Sequence, residues 1–132
     1  MPLLSSFENG DPRKERESSE ILARAFINLN DQSGAVPYLL AARGDDIEAQ
    51  WANSTACLVT TNLLMDEAES VCAAAFTTDP VDGGLRNSLG VYYGRKGEHA
   101  LALTQFEIAV ALTPDDLSYS SNLRSARALA GE

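Results

Sequence analysis

A set of small, aromatic and proline residues between Leu89 and Pro114 constrains this chain more than any other feature. In order along the sequence, the set is Leu89, Gly90, Tyr93, Gly97, Ala102, Phe106, Ala109 and Pro114. Most members on either side of Gly97 are three, four or seven residues apart, which places each group on one face of an α-helix. Gly97 suits the end of the first helix because glycine adopts a left-handed C-cap without steric cost, and Pro114 cannot continue a second helix. The stretch therefore predicts two amphipathic helices joined by a short turn.

The second-helix part of this pattern recurs in steps of about 34 residues towards the N-terminus. One step reaches Ala68, Cys72, Ala75 and Pro80, with a cysteine in the aromatic position, and the first helix of this unit is marked by Thr55, Ala56 and Val59. A second step reaches a degenerate unit with Ile21, Leu22, Gly34, Tyr38, Ala41 and Asp46 at the pattern positions. Proline is tolerated in a first helical turn, so Pro37 predicts that this second helix starts near Ala35 and ends before Gly44.

The residues from Leu89 to Pro114 resemble the tetratricopeptide repeat, a 34-residue helix-turn-helix unit. The resemblance implies an all-α superhelix in which three stacked helix hairpins are followed by a capping helix. The expected parts are a flexible arm at 1–12, repeats at approximately 15–48, 49–82 and 83–116, and a capping helix at 117–130, with Asp115 or Asp116 as its N-cap. The family also brings its two helices close together at small residues, here Gly90 and Ala102, so we expect Phe106 to be buried beside them.

The resemblance also implies where a partner binds, because ligands of related repeats contact the first helix just before and one turn after the Leu-Gly pair. In the third repeat this position set is Asn87, Ser88, Val91 and Arg95, and the 34-residue period gives Asn53, Ser54, Cys57 and Thr61 in the second. The same period gives Ser19, Glu20, Ala23 and Ile27 in the first repeat, and Asn122 lies one position from the corresponding place in the final helix.

Asn53 and Asn87 occupy equivalent positions in this scheme, and their side chains both donate and accept hydrogen bonds. A stacked row of asparagines could therefore hold the backbone of an extended peptide irrespective of its sequence. The alternative is that asparagine is simply a tolerated polar residue on a solvated helix. On the first interpretation, replacing either asparagine by alanine should weaken binding and leave folding nearly unchanged.

Charge limits the class of partner. The 132-residue chain has 10 lysines and arginines against 19 aspartates and glutamates, a formal net charge of -9, so nucleic acid is not an expected partner. No lysine or arginine lies between Arg43 and Arg86, whereas eight carboxylates do, namely Asp45, Asp46, Glu48, Asp66, Glu67, Glu69, Asp79 and Asp82. These carboxylates either solubilise the surface and favour helix starts, or form a docking edge for a basic partner.

The N-terminal sequence and the cysteines predict a cytoplasmic protein. Residues 1–7 have neither a basic start nor a long apolar run, so we expect no signal peptide and no membrane span. The chain has two cysteines, Cys57 and Cys72, and their expected positions agree with a reducing compartment. Cys57 is expected to project from a first helix and Cys72 to lie on the inner stripe of the next helix, so a disulfide between them is not expected.

No catalytic, cofactor-binding or metal-binding constellation is expected, since His99 is the only histidine and has no second ligand near it. The leading hypothesis is a non-catalytic scaffold, adaptor or small chaperone that holds a basic or amphipathic segment of another protein, similar to bacterial secretion-system chaperones. The alternative is a permanent structural subunit of a larger complex. Family members that bind the acidic tails of heat-shock chaperones use cations at positions that correspond here to Ser19, Ala23, Ser54, Gly84 and Ser88, so such a tail is not the expected partner.

Overall fold

A computed structural model describes residues 12–131, and every regular element in that range is helical. In chain order the helices are α1 (Pro12–Asn28), α2 (Gln32–Ala42), α3 (Gln50–Asn62), α4 (Ala68–Thr78), α5 (Gly83–Arg95), α6 (His99–Leu112) and α7 (Leu117–Leu129), with a 3-10 turn at Ile47–Ala49 before α3. The arm predicted at 1–12 lies outside the described residues except for Pro12, which begins α1. Within the described range, none of the helices is both long enough and apolar enough to span a bilayer.

The seven helices form three hairpins and a terminal helix. Within the hairpins α1 packs against α2, α3 against α4 and α5 against α6, and α7 then packs against α6. Successive hairpins are joined by contacts of α2 with α3 and of α5 with both α3 and α4. One core runs through the stack, from Ala23 and Leu39 in the first hairpin to Leu123 in α7. This arrangement agrees with the expected superhelix of three hairpins and a capping helix.

The third hairpin follows its predicted pattern. Leu89, Tyr93 and Phe106 are buried, and a Cβ atom added to Gly90 would lie only 2.6 Å from Cε1 of Phe106. A glycine is required at this position because a methyl group would overlap the aromatic ring. Gly97 has a φ of 79°, the left-handed conformation expected at the end of the first helix.

The turns inside the three hairpins reveal a change of register. Each turn contains one residue in the left-handed conformation, and these residues are Asn30 (φ 60°), Leu64 (φ 54°) and Gly97 (φ 79°). Asn30 and Leu64 are separated by one full repeat length, but Leu64 and Gly97 are one residue closer than that. The first buried alanine of the second helix follows five residues later in the outer hairpins (Ala35, Ala102) and four residues later in the middle one (Ala68). Counted from the left-handed residue to the buried face of the second helix, the turn of the second hairpin is therefore one residue shorter than the others, although more residues separate its helix ends (63–67) than in the other hairpins (29–31 and 96–98).

Because one residue is missing in the second hairpin, the buried positions of the first hairpin lie one residue later in the sequence than 34-residue steps from the third hairpin predict. The buried residues of α2 are Ala35, Val36, Leu39 and Ala42. The predicted pattern residues Tyr38 and Ala41 are therefore wrong by one position. In α1, Ile21 and Leu22 are 67% and 45% exposed, and Ala23 is fully buried instead.

Helix α2 also begins earlier than predicted. It starts at Gln32 rather than near Ala35, because the side chain of Asp31 caps it by accepting a hydrogen bond, at 2.9 Å, from the backbone N–H three residues on. Pro37 consequently lies in the second turn of the helix rather than in the first. The helix ends before Gly44, as predicted.

Cys57 and Cys72 form a disulfide that joins α3 to α4, so the expectation of two unpaired cysteines is wrong. Their Cα atoms are 4.6 Å apart and both side chains are fully buried. The physical reason is again the register. The one-residue shift turns Cys57 towards Cys72, so that it takes the place that Gly90 has opposite Phe106 in the third hairpin.

Aspartates begin several of the helical elements. Asp82 accepts hydrogen bonds from two backbone N–H groups at the start of α5. Of the two candidate caps for α7, Asp116 is the one that caps it, again through two backbone N–H groups. Asp46 caps the 3-10 turn. Because anionic side chains complement the positive end of a helix, part of the acidic middle of the chain has a local structural role.

Candidate partner-binding groove

A groove of about 330 Å³ lies between α3 and α5, and we call it the α3–α5 groove. Its walls are Leu58, Thr61 and Asn62 of α3, Asn87, Ser88, Val91 and Arg95 of α5, and Gln32 of α2. Leu58 and Val91 retain 43% and 39% of their accessible surface. The groove therefore offers apolar contact between amide and hydroxyl groups.

The composition of the groove follows from the register of the two helices. Counting back from α5 to α3 by one residue less than the repeat length pairs Val91 with Leu58 and Arg95 with Asn62. All four of these residues line the groove. The full repeat length would instead pair Val91 with Cys57, which is fully buried. The register of α3 relative to α5 thus decides which face of α3 lines the groove.

Hydrogen bonds connect all three hairpins at one end of the groove. Nη1 of Arg95 donates to the backbone O of Asn62 at 3.0 Å, which joins α5 to the end of α3. Nδ2 of Asn62 donates to Oε1 of Gln32 at 2.6 Å, which joins α3 to the start of α2. Arg95 is the one charged side chain among the residues that line the groove.

Nine site residues are predicted in the second and third repeats and the final helix, and the structure brings five of them together, namely Thr61, Asn87, Ser88, Val91 and Arg95. Thr61 contributes little surface to a partner, since it is only 4% exposed and its hydroxyl donates to the backbone O of Cys57 at 2.9 Å. The four residues of α5 therefore lie together along one wall of the groove, and the differences from the expected lining are in α3.

Asn53 is not a groove residue. Its side chain is fully buried, and Oδ1 accepts a hydrogen bond from the backbone N of Gly44 at 3.2 Å. Its Nδ2 donates to the backbone O of Gly44 at 2.8 Å and to Oγ1 of Thr78 at 3.1 Å. The structure corrects the prediction that Asn53 holds a partner's backbone, because its amide is inaccessible and instead holds the loop before α3.

The remaining three predicted residues also lie outside the groove. Cys57 is buried in the disulfide. Ser54 faces a recess on the α1 side of α3, and its buried hydroxyl has no hydrogen-bond partner among the described residues. Asn122 donates from Nδ2 to Oδ1 of Asn87 at 2.9 Å and so fastens α7 to α5. The row of asparagines therefore makes hydrogen bonds within the chain.

The recess on the α1 side of α3 has a volume of about 510 Å³, and we call it the α1–α3 recess. It is lined by Glu20, Arg24, Ile47, Glu48, Gln50, Trp51, Ser54 and Asp79. The guanidinium of Arg24 lies 3.9 Å from the ring centroid of Trp51, and its Nε is 3.5 Å from Oε2 of Glu20. Three carboxylates and one guanidinium give the recess a net negative charge. In the corrected register Glu20 and Arg24 correspond to Asn87 and Val91, so the recess and the groove lie on the same face of the stacked helices.

Leu58, Asn62 and Gln32 line the groove but were not predicted from the sequence. A signal for the correct register was present, since Ala35, Leu39 and Ala42 have the same small-large-small spacing as Ala102, Phe106 and Ala109. The two sets are separated by one residue less than two full repeat lengths, which reveals one missing residue between the two hairpins. No such signal exists for Gln32, because it comes from the start of a second helix.

A larger cavity, of about 790 Å³, shares no lining residue with either of these surfaces. It is lined by Arg13, Glu15, Arg16, Ser19, Ala41, Arg43 and Asp46, and so contains none of the nine predicted residues. Arg16 forms ion pairs there with Asp46 at 3.1 Å and with Glu48 at 3.6 Å. Across residues 12–131 no group of three or more metal-binding side chains comes together.

Solved tetratricopeptide repeat domains share this fold. The first such domain of Spaghetti (RPAP3), bound to the HSP90 peptide SRMEEVD, has a TM-score of 0.74 and 15% identity over 90% of this chain and 96% of that chain. The second domain of human RPAP3, in complex with the HSP70 peptide SGPTIEEVD, has a TM-score of 0.72 and 16% identity over 89% of this chain and 98% of that chain. The Arabidopsis OM64 domain has a TM-score of 0.73 and 15% identity, with coverage of 89% and 98%.

No protein-family model matches the sequence, and no curated protein matches it. At 15–16% identity, the structural likeness shows the fold. Residues 12–131 have the all-α fold of tetratricopeptide repeat domains, with three helix hairpins and a capping helix. The resemblance of the stretch from Leu89 to Pro114 is thus confirmed at the level of the fold.

Proposed function

We propose that this protein is a non-catalytic scaffold that holds an extended segment of another protein along the α1–α3 recess and the α3–α5 groove. The observation that carries the proposal is the exposure of Leu58 and Val91 inside a groove whose other walls are mostly amides and hydroxyls. An extended peptide needs apolar contact for its side chains and hydrogen-bonding groups for its backbone, and this lining supplies both. Two structures with the same fold support this mode of action, since each contains a bound peptide.

The charges along this face favour an amphipathic partner with a basic part. The α1–α3 recess contains three carboxylates against the guanidinium of Arg24, whereas the α3–α5 groove contains only the guanidinium of Arg95. A lysine or arginine of the partner is therefore favoured in the recess, and an apolar side chain is favoured between Leu58 and Val91.

Acidic peptides of the kind bound by the RPAP3 domains are not favoured. Tail-binding repeats carry cations at two positions of the first hairpin that uncorrected 34-residue steps assign to Ser19 and Ala23. In the corrected register these two positions are Glu20 and Arg24. Arg24 is the one cation that this shift adds, and Glu20 and Trp51 already contact it. A partner carboxylate would therefore meet Glu20 beside the guanidinium, which opposes its binding.

Two biological roles are candidates for such a scaffold. The first is an adaptor or small chaperone that binds and releases its partner, as bacterial secretion-system chaperones do. The second, a permanent structural subunit, is favoured by exposed apolar side chains at the junctions between hairpins, namely Ile47 (70%), Val81 (71%) and Leu117 (83%). The cytoplasmic location expected from the sequence stays a prediction and is not part of this proposal.

The double substitution Leu58→Asp/Val91→Asp tests the groove. Both side chains are partly exposed, so the variant should fold, while each lost apolar contact should cost about 1–2 kcal/mol of binding free energy. Partner affinity should therefore fall by at least tenfold, since about 1.4 kcal/mol is a factor of ten. Leu101→Asp is a matched control, because Leu101 is 48% exposed on α6, outside the groove.

The measurement is affinity capture from the native cells with quantitative mass spectrometry, after thermal melts have shown that both variants are folded. A protein that wild type and Leu101→Asp retain, but that the double variant loses, is a groove partner. Retention of every partner by the double variant would place the binding surface elsewhere. Size-exclusion chromatography then separates the two roles, because a permanent subunit should aggregate when it is purified alone and an adaptor should not.

A further inference from the structure

We infer that the Cys57–Cys72 disulfide takes over, in the second hairpin, the role that the Gly90–Phe106 contact has in the third, and that the protein acquires this bond in an oxidising compartment. The bond forms as the chain matures, before any partner binds. It does not depend on which surface binds that partner.

The third hairpin is held together by a close contact between its two helices. Gly90 of α5 has no side chain, and the ring of Phe106 from α6 occupies the space where a Cβ would be, at 2.6 Å from that position. Phe106 is only 6% exposed. A large buried aromatic ring against a bare helix backbone brings the two helices together without any covalent bond.

The second hairpin lacks this contact. Cys57 occupies the place of Gly90, and Cys72 occupies the place of Phe106, between the fully buried residues Ala68 and Ala75. A cysteine side chain is much smaller than a phenylalanine ring and cannot fill the same space. The disulfide compensates by joining α3 to α4 directly, with the two Cα atoms 4.6 Å apart.

The turn of the second hairpin gives an independent reason why a covalent bond is needed there. Its left-handed residue is Leu64, whereas the other two hairpins have Asn30 and Gly97 at this position. Leucine is disfavoured in the left-handed conformation because its Cβ approaches the following carbonyl oxygen, whereas glycine has no such clash and asparagine tolerates the conformation. The second hairpin is therefore deficient both in its core contact and in its turn.

The environment of the two sulfur atoms indicates a structural bond rather than a redox switch. Both cysteines are fully buried, so an attacking thiolate cannot reach either sulfur while the protein is folded. To form the bond, each thiol loses one proton and one electron, and the disulfide of an oxidant protein takes up both protons and both electrons as its own S–S bond breaks to give two thiols. Bonds of this kind form in the periplasm, in the endoplasmic reticulum or outside the cell, and are rare in a reducing cytosol. The cytoplasmic prediction relied in part on unpaired cysteines, and the disulfide removes that support.

Thiol trapping in the native cell tests the compartment. Cells are lysed in denaturant with an alkylating reagent, and the full chain is analysed by mass spectrometry before and after reduction. We expect no alkylation of Cys57 or Cys72 before reduction and alkylation of both afterwards. Free thiols in the freshly lysed cells would overturn the inference. In the purified protein, reduction without denaturant should be at least tenfold slower than reduction with denaturant, and equal rates would identify a redox switch instead.

Two double variants test the replacement of the aromatic contact. Cys57→Ser/Cys72→Ser should lower the midpoint of thermal unfolding by roughly 10 °C, the effect of losing a cross-link of this length, or prevent folding. Cys57→Gly/Cys72→Phe installs the residue pair of the third hairpin, so it should recover at least half of that loss and should melt identically with and without a reducing agent. A serine variant that melts like wild type would overturn the inference. So would a glycine–phenylalanine variant that is no more stable than the serine variant.

Discussion

A single asparagine shows how strongly one position of register changes what a residue does. Asn53 and Asn87 are one repeat length apart and look equivalent in the sequence, yet Asn53 is fully buried and Asn87 lines the groove. One residue of shift rotates a helical side chain by about 100°, because a helix has 3.6 residues per turn. That rotation is enough to move a side chain from the wall of the groove into the interior.

Alanine substitutions at the asparagines should therefore have unequal effects on stability. Asn53→Ala should lower the free energy of unfolding by about 3 kcal/mol, because the backbone N and O of Gly44 both lose a buried partner. Asn122→Ala removes one partly buried hydrogen bond to Asn87 and should cost about 1 kcal/mol. Chemical denaturation measures both values. A loss below about 0.5 kcal/mol for Asn53→Ala would contradict its structural role.

The hydrogen bond between Asn87 of α5 and Asn122 of α7 supplies a control for partner binding. Asn87→Ala and Asn122→Ala remove the same internal hydrogen bond, but only Asn87 lines the α3–α5 groove. Any loss of partner affinity that Asn87→Ala shows beyond that of Asn122→Ala therefore reports a direct contact between Asn87 and the partner.

At the scale of the elements, the three hairpins differ most in their turns. All three turns place one residue in the left-handed conformation, but the residue types are Asn30, Leu64 and Gly97. Only in the middle hairpin does the first buried alanine follow the left-handed residue by four residues rather than five, and only that hairpin carries a disulfide. The unusual covalent bond thus occurs in the hairpin whose local sequence favours the turn least.

At the left-handed positions of the turns, a glycine should make the protein more stable than an alanine does, which is the reverse of their order in a helix interior. Gly97→Ala should destabilise the protein by about 1 kcal/mol through backbone strain alone, since no atom lies within 4 Å of the added Cβ. At the middle turn, Leu64→Gly should be more stable than Leu64→Ala by about 1 kcal/mol, because both lose the side chain and only glycine relieves the strain. Thermal melts of the three variants measure these differences. Equal stability of the two Leu64 variants would show that this turn is not strained.

At the scale of the whole molecule, charge is distributed unevenly along the proposed binding face. The chain has a formal net charge of -9, and the α1–α3 recess carries three carboxylates, whereas the α3–α5 groove carries one arginine. Part of the acidic character is local, since Asp46 and Asp82 cap helical elements. The carboxylates of the recess remain as candidates for attracting a basic partner.

Association with a basic partner should therefore slow as salt rises. Above about 0.15 M salt, exposed charges more than about 8 Å apart are screened, so the association rate should fall while the dissociation rate changes less. Glu48→Gln in the recess should reduce this salt dependence, and Glu107→Gln, exposed on α6 outside the recess, should reduce it less. Stopped-flow binding at several salt concentrations measures both effects. Rates that do not respond to salt would leave these carboxylates with a solubilising role.

Much of the candidate site was predictable where a local pattern marks the helix, and not where the marking is weak. The α5 residues Asn87, Ser88, Val91 and Arg95 lie together in the groove because Leu89, Gly90 and Tyr93 define the buried face of that helix, and their contact with a partner stays a prediction. In α3 the corresponding face has no such marker, so its placement depended on counting one repeat length across a turn. The count was wrong by one, which replaced Leu58 and Asn62 by Cys57 and Thr61.

By itself the sequence determined the all-α class, the stacked hairpins and the detailed packing of the third hairpin, because helical spacing, a turn glycine and a closing proline act over a few neighbouring residues. Only the tertiary structure decided the register of the first two hairpins, the Cys57–Cys72 bond and the lining of the groove. A turn can lose one residue without changing the periodicity on either side of it, so the loss leaves no local trace in the sequence. It becomes visible only when the next helix packs, because the buried face must then match its neighbour across the hairpin.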